Sequence, residues 1–443
     1  MEFNATYRMR TVLIAAILLG AWATVNAADP DAASPTAATS REGRWKEDLG
    51  VFARDLPARH LDFFKLIPKK KFNREVRKLE NELPRLSDVE VVFRLMRLGA
   101  RVGVAHTWVG FPPKAPTFHG YPLMFHWFSD RLAVVAATLE YREVIGARVL
   151  KIGSATPRQA VAAVEPYISC ENQTWLYKQS PLFLRNAELL QYLRIAEPDG
   201  RVRWSFIRPD GKPLSLDIAP GDSGEPAQWI SAWDALGIPP VLRSKRHTSY
   251  SYEFLPEAQA PYWYEFLPEA QALYTQYKKC ADAPGHPFAS FARKLFALAD
   301  SNAVQRVIVD LRYNGGGDSR VIGPLVSGLK SRPALNGKGH LYVLIGPGTF
   351  SSAVLAAIQL RNEAGATLVG QPTGGKPNCY GESPYFRLPN SQMEVHYCTK
   401  NFRLIPNADP PSLDPDIRVA LSLKDFLAGR DPVLEAALRH PLK

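Results

Sequence analysis

Cysteine is scarce in this chain, with four residues in 443, too few to make a disulfide framework. Cys170 and Cys280 stand at no metal-ligand spacing from any histidine, and the sequence implies no metal or cofactor. Cys379 and Cys398 flank a hairpin pattern, "YGESPYFRLPNSQMEVHYC", whose turn falls near Pro389-Asn390. In an oxidising compartment they pair across it or remain buried thiols, and the spacing leaves both open. Long apolar runs are absent after the N-terminus, so no later segment reads as membrane-spanning. The glycine runs lack both the Lys-Ser/Thr partner of a phosphate loop and the GxGxxG spacing of a dinucleotide site. Despite a net charge of +11, no stripe of Lys and Arg with interleaved aromatics marks a nucleic-acid module. The densest basic cluster, "KLIPKKKFNREVRK", has a helical pattern. It reads first as a solvated face and second as attractive to anionic lipid, which limits membrane contact to the periphery.

What is present begins with "YRMRTVLIAAILLGAWATVNAADP". Arg8 and Arg10 precede an apolar run from Val12, and small residues at Val25 and Ala27 form a cleavage site. This is the pattern of a secretory signal over residues 1–27, with a retained anchor as the minority reading. Residues 28–40 follow as a small-residue linker. The expected location is periplasmic or secreted.

Apolar residues at three- and four-residue spacing predict an N-terminal helical segment over 41–115, with "LSDVE" as a helix start. Residues 121–220 carry strand-like alternation in "RLAVVAATLEY", "GARVLKI" and "RVRWSFIRPDGKPLSLDI", with a helix in "TPRQAVAAVEPYI", a small mixed domain. A connecting region over 221–285 holds a tandem copy across 252–275, "YEFLPEAQAPYW" then "YEFLPEAQALYT". Two units cannot found a solenoid, so the copy reads as a longer surface loop or an extra edge strand. From 286 to 443 the pattern is α/β: the buried strand "RVIVDL", a glycine loop, a helix, the strand "HLYVLIG", a helix opening at Ser351-Ser352, and the strand "ATLVG". Special residues stand at strand exits, where open α/β sheets build their sites.

"DLRYNGGGD" brings bare amides to a tight turn, which suits an oxyanion hole. The serine pair in "GPGTFSSAVLAA" is either a helix cap or a nucleophile. "VIVDLRYNGGG", "TFSSA" and "VGQPTGGK", in that order, resemble the catalytic domain of the tail-specific, or C-terminal-processing, serine peptidases. "LGARVGVAHTWVG" is similar to that family's "GHT" segment, "GARVLKIGSATPRQAV" to half of a PDZ-like domain, and "LAGRDPVLEAAL" to its C-terminal helix. The resemblance implies a multidomain α/β fold: a helical segment, a PDZ-like domain and a ClpP/crotonase-like catalytic domain. It places the nucleophile on Ser351 and the oxyanion donors on the amides of Ser352 and Gly316.

The general base stays open between two residues. Lys376 lies at the spacing of the family's Ser/Lys branch, but Val354 replaces that branch's glutamate and "TGGKPN" its "TxGKG". His106, in the histidine segment of the tricorn-like branch, titrates near 6.5 without tuning and is preferred. Glu382 in "YGE" is the candidate orienting carboxylate, and Ala105 stands where tricorn has a serine. "GDSGEP" at 221–226 echoes trypsin-like peptidases but lacks an upstream histidine segment, so Ser223 reads as a turn residue. The expected activity is acyl-enzyme cleavage of polypeptides. A peptidase-fold protein that binds peptides or chain ends with little turnover is the alternative, and a small-ester hydrolase is a third.

Overall fold

The computed structural model describes residues 40–221, 229–238 and 261–442. The expected signal, nearly all of the linker, the "GDSGEP" turn beyond Gly221 and most of the first repeat copy lie outside them. No helix among the described residues is long and apolar enough to cross a membrane.

The helical pattern forms helices at Arg41–Arg59, Phe63–Leu66, Lys69–Glu82 and Asp88–Ala100. The last starts where "LSDVE" predicts: the Ser87 hydroxyl accepts from the Glu90 amide while the Glu90 carboxylate accepts from the Ser87 amide. This reciprocal pairing satisfies two donors that a helix start otherwise leaves open. Thr156 and Gln159 repeat the device at the helix Pro157–Val164.

Six strands then build an antiparallel sheet: β1 (Leu123–Trp127), β2 (Leu132–Thr138), β3 (Arg148–Ile152), β4 (Val202–Ile207), β5 (Pro213–Ile218) and β6 (Trp229–Ser231). They run in the order β1 to β5, with β6 also paired to β2. The sheet therefore reaches past residue 220, where the sequence pattern ends the small domain. One apolar core unites this sheet with the N-terminal helices, from Trp45 and Phe52 through Phe93 to Trp204, Phe206 and Val395.

The second sheet takes β7 (Tyr262–Leu267), β8 (Ala272–Tyr277), β9 (Arg306–Asp310), β10 (Leu341–Ile345) and β11 (Thr367–Gly370). Between β11 and the final strand, β12 (Asn378–Gly381) pairs with β15 (Lys400–Arg403), and the hairpin β13 (Tyr385–Arg387) and β14 (Glu394–His396) closes near Pro389-Asn390. With β16 (Ile417–Arg418) the order is β16-β11-β10-β9-β8-β7. All pairs are parallel except β7 with β8. β9 and β10 are buried at every residue, as expected for strands covered on both faces. Helices Phe288–Ser301, Gly323–Lys330 and Ser352–Ala364 cover one face through Val307, Val309 and Val343. Pro432–Arg439 covers the other through Ile308, Tyr342 and Leu344. The second repeat copy supplies the edge strand β7, its turn and the start of β8. That goes beyond a surface loop, because β8 is buried throughout.

Candidate active site

The parallel strands end at one side of the sheet, and three loops converge there. After β9 the chain turns through Asn314, Gly315, Gly316 and Gly317. Asn314 is fully buried. Its Nδ2 donates to Tyr277 O at 2.8 Å and its carbonyl accepts from the Phe350 amide at 3.0 Å. One side chain and one carbonyl thus bind the end of β8, the glycine loop and the loop after β10. The glycines are demanded by contact as well as by backbone angle. Gly316 has φ +108° and an added Cβ would lie 2.6 Å from the Ser351 Cβ; Gly317 has φ +132° and its Cβ would meet Cys280 O at 2.2 Å.

Ser351 ends the loop after β10 in a conformation rare for a side-chain-bearing residue, φ 53° and ψ −128°. Such strain costs on the order of 1–3 kcal/mol and survives only where the surroundings enforce it. Ser351 stands at the cap position of the helix Ser352–Ala364 but makes no capping hydrogen bond, which removes the simple cap reading. Its hydroxyl, half-buried, makes no hydrogen bond among the described residues. The Ser352 hydroxyl does, donating to Gly317 O at 2.5 Å. The two neighbours are therefore distinguished, and Ser351 is the one left available.

The Gly316 amide is not available as expected. It donates to Asn314 Oδ1 at 2.8 Å. The amides of Gly315, Gly317 and Ser352 make no hydrogen bond among the described residues and are the donors this corner offers. An Asn two positions before its own amide partner forms a local side-chain turn, and that competition was not read from "NGGG".

His106 reaches the site from the first core. Its ring stacks on Phe350, the residue before Ser351, with centroids 4.6 Å apart, and Phe350 in turn stacks with Trp175 at 4.0 Å. Burial pushes the imidazole down to about 4, because a charged ring has lost its water. At neutral pH it is in its proton-accepting form. Lys376 lies on the turn whose Gly375 amide donates to Thr349 O at 3.0 Å. Its Nζ donates to Asp409 Oδ2 at 2.7 Å, so it is engaged with a carboxylate rather than with Ser351.

Glu382 does not face His106. It is exposed, and its carboxylate accepts from Lys400 Nζ at 3.1 Å. The next residue, Ser383, makes the contact instead, its hydroxyl donating to His106 O at 2.7 Å. The carboxyl that does belong to this region is Glu171, missed in the sequence because "SCENQTW" has no motif. Burial pushes it up to about 7, against the pull of Lys376 and of the Ala105 backbone. Its neighbour Asn172 donates to Gly374 O at 3.0 Å and Pro411 O at 2.6 Å. Cys379 and Cys398 are free thiols, each pushed up to about 12 by burial. No metal-binding cluster of His, Cys, Asp and Glu occurs among the described residues.

No protein-family profile matches the sequence, and no curated protein does. Solved structures do. Over 90% of this chain and 98% of the other, it is similar to mature CPAF complexed with lactacystin, at 15% identity and a TM-score of 0.63. Mature CPAF alone aligns over 88% and 94%, at 14% identity and a TM-score of 0.60. At these identities the likeness is one of fold, and it extends over both cores described above.

Proposed function

We propose that this chain is a serine peptidase acting on polypeptides through an acyl-enzyme on Ser351. In this reading His106 Nε2 or Nδ1 takes the hydroxyl proton as Ser351 Oγ bonds to the substrate carbonyl carbon. The Ser352 amide and an amide of Gly315 or Gly317, in place of Gly316, receive the oxyanion. Collapse of the tetrahedral intermediate breaks the C–N bond, and the protonated imidazole returns its proton to the leaving amine. Water, deprotonated by the same ring, then hydrolyses the ester. The observation that carries this is the strained, unbonded Ser351 beside unused amides, directly after the Phe350 ring on which a neutral imidazole stacks. The fold shared with mature CPAF supports it. Lys376 serves here as a partner of Asp409, and Glu171 replaces Glu382 as the carboxyl that conditions the histidine segment.

Labelling by a fluorophosphonate and hydrolysis of an unstructured polypeptide test the reading. Ser351→Ala abolishes both, while Ser352→Ala, which loses the bond to Gly317, retains labelling at reduced rate. Full cleavage by Ser351→Ala overturns the proposal. A second reading, a peptide binder with little turnover, is favoured by one observation, the engagement of the Gly316 amide; wild-type protein that binds peptide but takes no label would establish it. We further propose export through residues 1–27, which N-terminal sequencing of the mature protein checks.

A further inference from the structure

The helix Lys69–Glu82 opens against its own electrostatics. Lys69, Lys70 and Lys71 occupy its first turn, with Pro68 at the cap, no acidic residue there and no side-chain cap. A helix N-terminus carries partial positive charge, so three ammonium groups at that end oppose folding. The helix has carboxylates, but each is paired: Glu75 to Arg101 at 2.9 Å, Glu80 to Lys46 at 3.6 Å and Glu82 to Arg94. Lys69, Lys70, Lys71, Arg77 and Lys78 are exposed and make no ion pair among the described residues. A face that is merely solvated mixes both signs; here the unpaired charges of the helix are of one sign.

Apolar side chains stand at the same end. Leu61 is 38% exposed and Phe64 is 41% exposed. Lys69 Nζ lies 5.5 Å from the Phe64 ring centroid, and the buried Phe63 ring holds Phe64 edge-on at 5.3 Å. Lys69 and the Lys65–Asp62 ion pair, 2.8 Å, flank it.

We propose that Leu61, Phe64 and the Lys69–Lys78 face form a docking surface for an anionic lipid bilayer. Lysines attract the headgroup charge while the aromatic and aliphatic side chains enter the boundary with the acyl chains. Leu61 offers nothing to a stacked base, which favours lipid over nucleic acid. This inference is independent of the peptidase reading. The docking segment also braces the site, since the Leu61 amide donates to Cys398 O at 2.8 Å and His60 Nε2 bonds Thr107 Oγ1 at 2.8 Å. Docking would therefore hold the loop that bears His106 at a fixed height above the lipid.

Co-sedimentation with vesicles of phosphatidylcholine, with and without phosphatidylglycerol, tests this on the full chain and on variants sharing its N-terminus. Lys70→Glu with Lys71→Glu should weaken partition onto anionic vesicles at least about tenfold, and Phe64→Ser should weaken it severalfold even at high salt. The double variant should melt no lower than wild type, because acid in the first turn suits the dipole. If it does melt lower, Lys70→Gln with Lys71→Gln replaces it. Unchanged partition of the lysine variant, or equal binding to neutral vesicles, overturns the proposal. So does a duplex DNA that binds tightly, is lost on lysine reversal and leaves Phe64→Ser without effect on vesicles.

Discussion

At the His106 ring, burial against Phe350 moves the titration from an ordinary value near 6.5 down to about 4. Two consequences have definite signs. A general base works only when deprotonated, so the acid limb of kcat/KM should fall near pH 4 rather than near 6.5. Lys376→Ala should keep that limb and lose less than about tenfold in rate, whereas His106→Ala should lose on the order of 10²–10⁴; a limb that moves only in the lysine variant would reassign the base. For stability, the unfolded chain binds the His106 proton below about pH 6.5 and the folded one does not. The contribution is complete above that pH and disappears as pH falls through about 4, amounting to about 3 kcal/mol. Urea melts of wild type and His106→Ala at pH 7 and pH 4 measure it, and the variant's stability should fall less on acidification. His106 itself was legible from its "HT" context, and Ser351 from its place before an apolar helix. Glu171 and the Asn314–Gly316 bond were not, because neither leaves a pattern in the string: one depends on which side chains bury it, the other on a loop's geometry.

Elements were easier to read than partners. The helix starts at Ser87 and Thr156, and the runs that became β9 and β10, rest on neighbours within a few residues, which a sequence displays directly. Ser87→Ala should accordingly cost only about 1 kcal/mol, the ordinary value of a lost cap, with activity unchanged when assayed well below the melting temperature. The loop after β9 should behave differently, because its residues act across elements. Asn314→Asp keeps the shape but replaces the amide donor to Tyr277 O with a charged oxygen in a fully buried place. Burying an unpaired carboxylate beside a carbonyl should cost about 3 kcal/mol or drive its protonation. The loop should shift with it, and since Asn314 O also holds Phe350, kcat should fall at least about a hundredfold. Retention of full kcat with a lowered melting temperature would show that Asn314 supports the fold without aligning Ser351. The sheet's extension past residue 220 is hidden for a related reason: β6 joins β2 across the sheet, and a three-residue strand has no periodicity to display.

Across the whole molecule, the proposed chemistry is divided between two cores. Ser351 and the glycine loop belong to the parallel sheet, while His106, Trp175 and Glu171 come from chain that packs with the antiparallel sheet and the N-terminal helices. The parallel half has its own clamp: Arg312, half-buried, donates to Asp310 Oδ2 and Asp431 Oδ2 at 2.7 Å each, fastening the exit of β9 to the cap of the C-terminal helix. Arg312→Ala would leave the buried Asp310 and the half-buried Asp431 without their cation, a loss of about 3 kcal/mol, and would release the Asn314 loop as well. A lesion in the other half should reach the site by a different route. Phe52 is fully buried in the first core, and Phe52→Ala should cost about 3–5 kcal/mol through its cavity. Its damage should appear first in the His106 side of the site. Partial denaturation of Phe52→Ala should therefore slow polypeptide cleavage while amide protons of β9 and β10 remain protected from exchange. In Arg312→Ala those protons should exchange together with the loss of activity. If Phe52→Ala kept full cleavage after protons of the Asp88–Ala100 helix had exchanged, the histidine half would be dispensable, and the parallel sheet alone would have to supply the base.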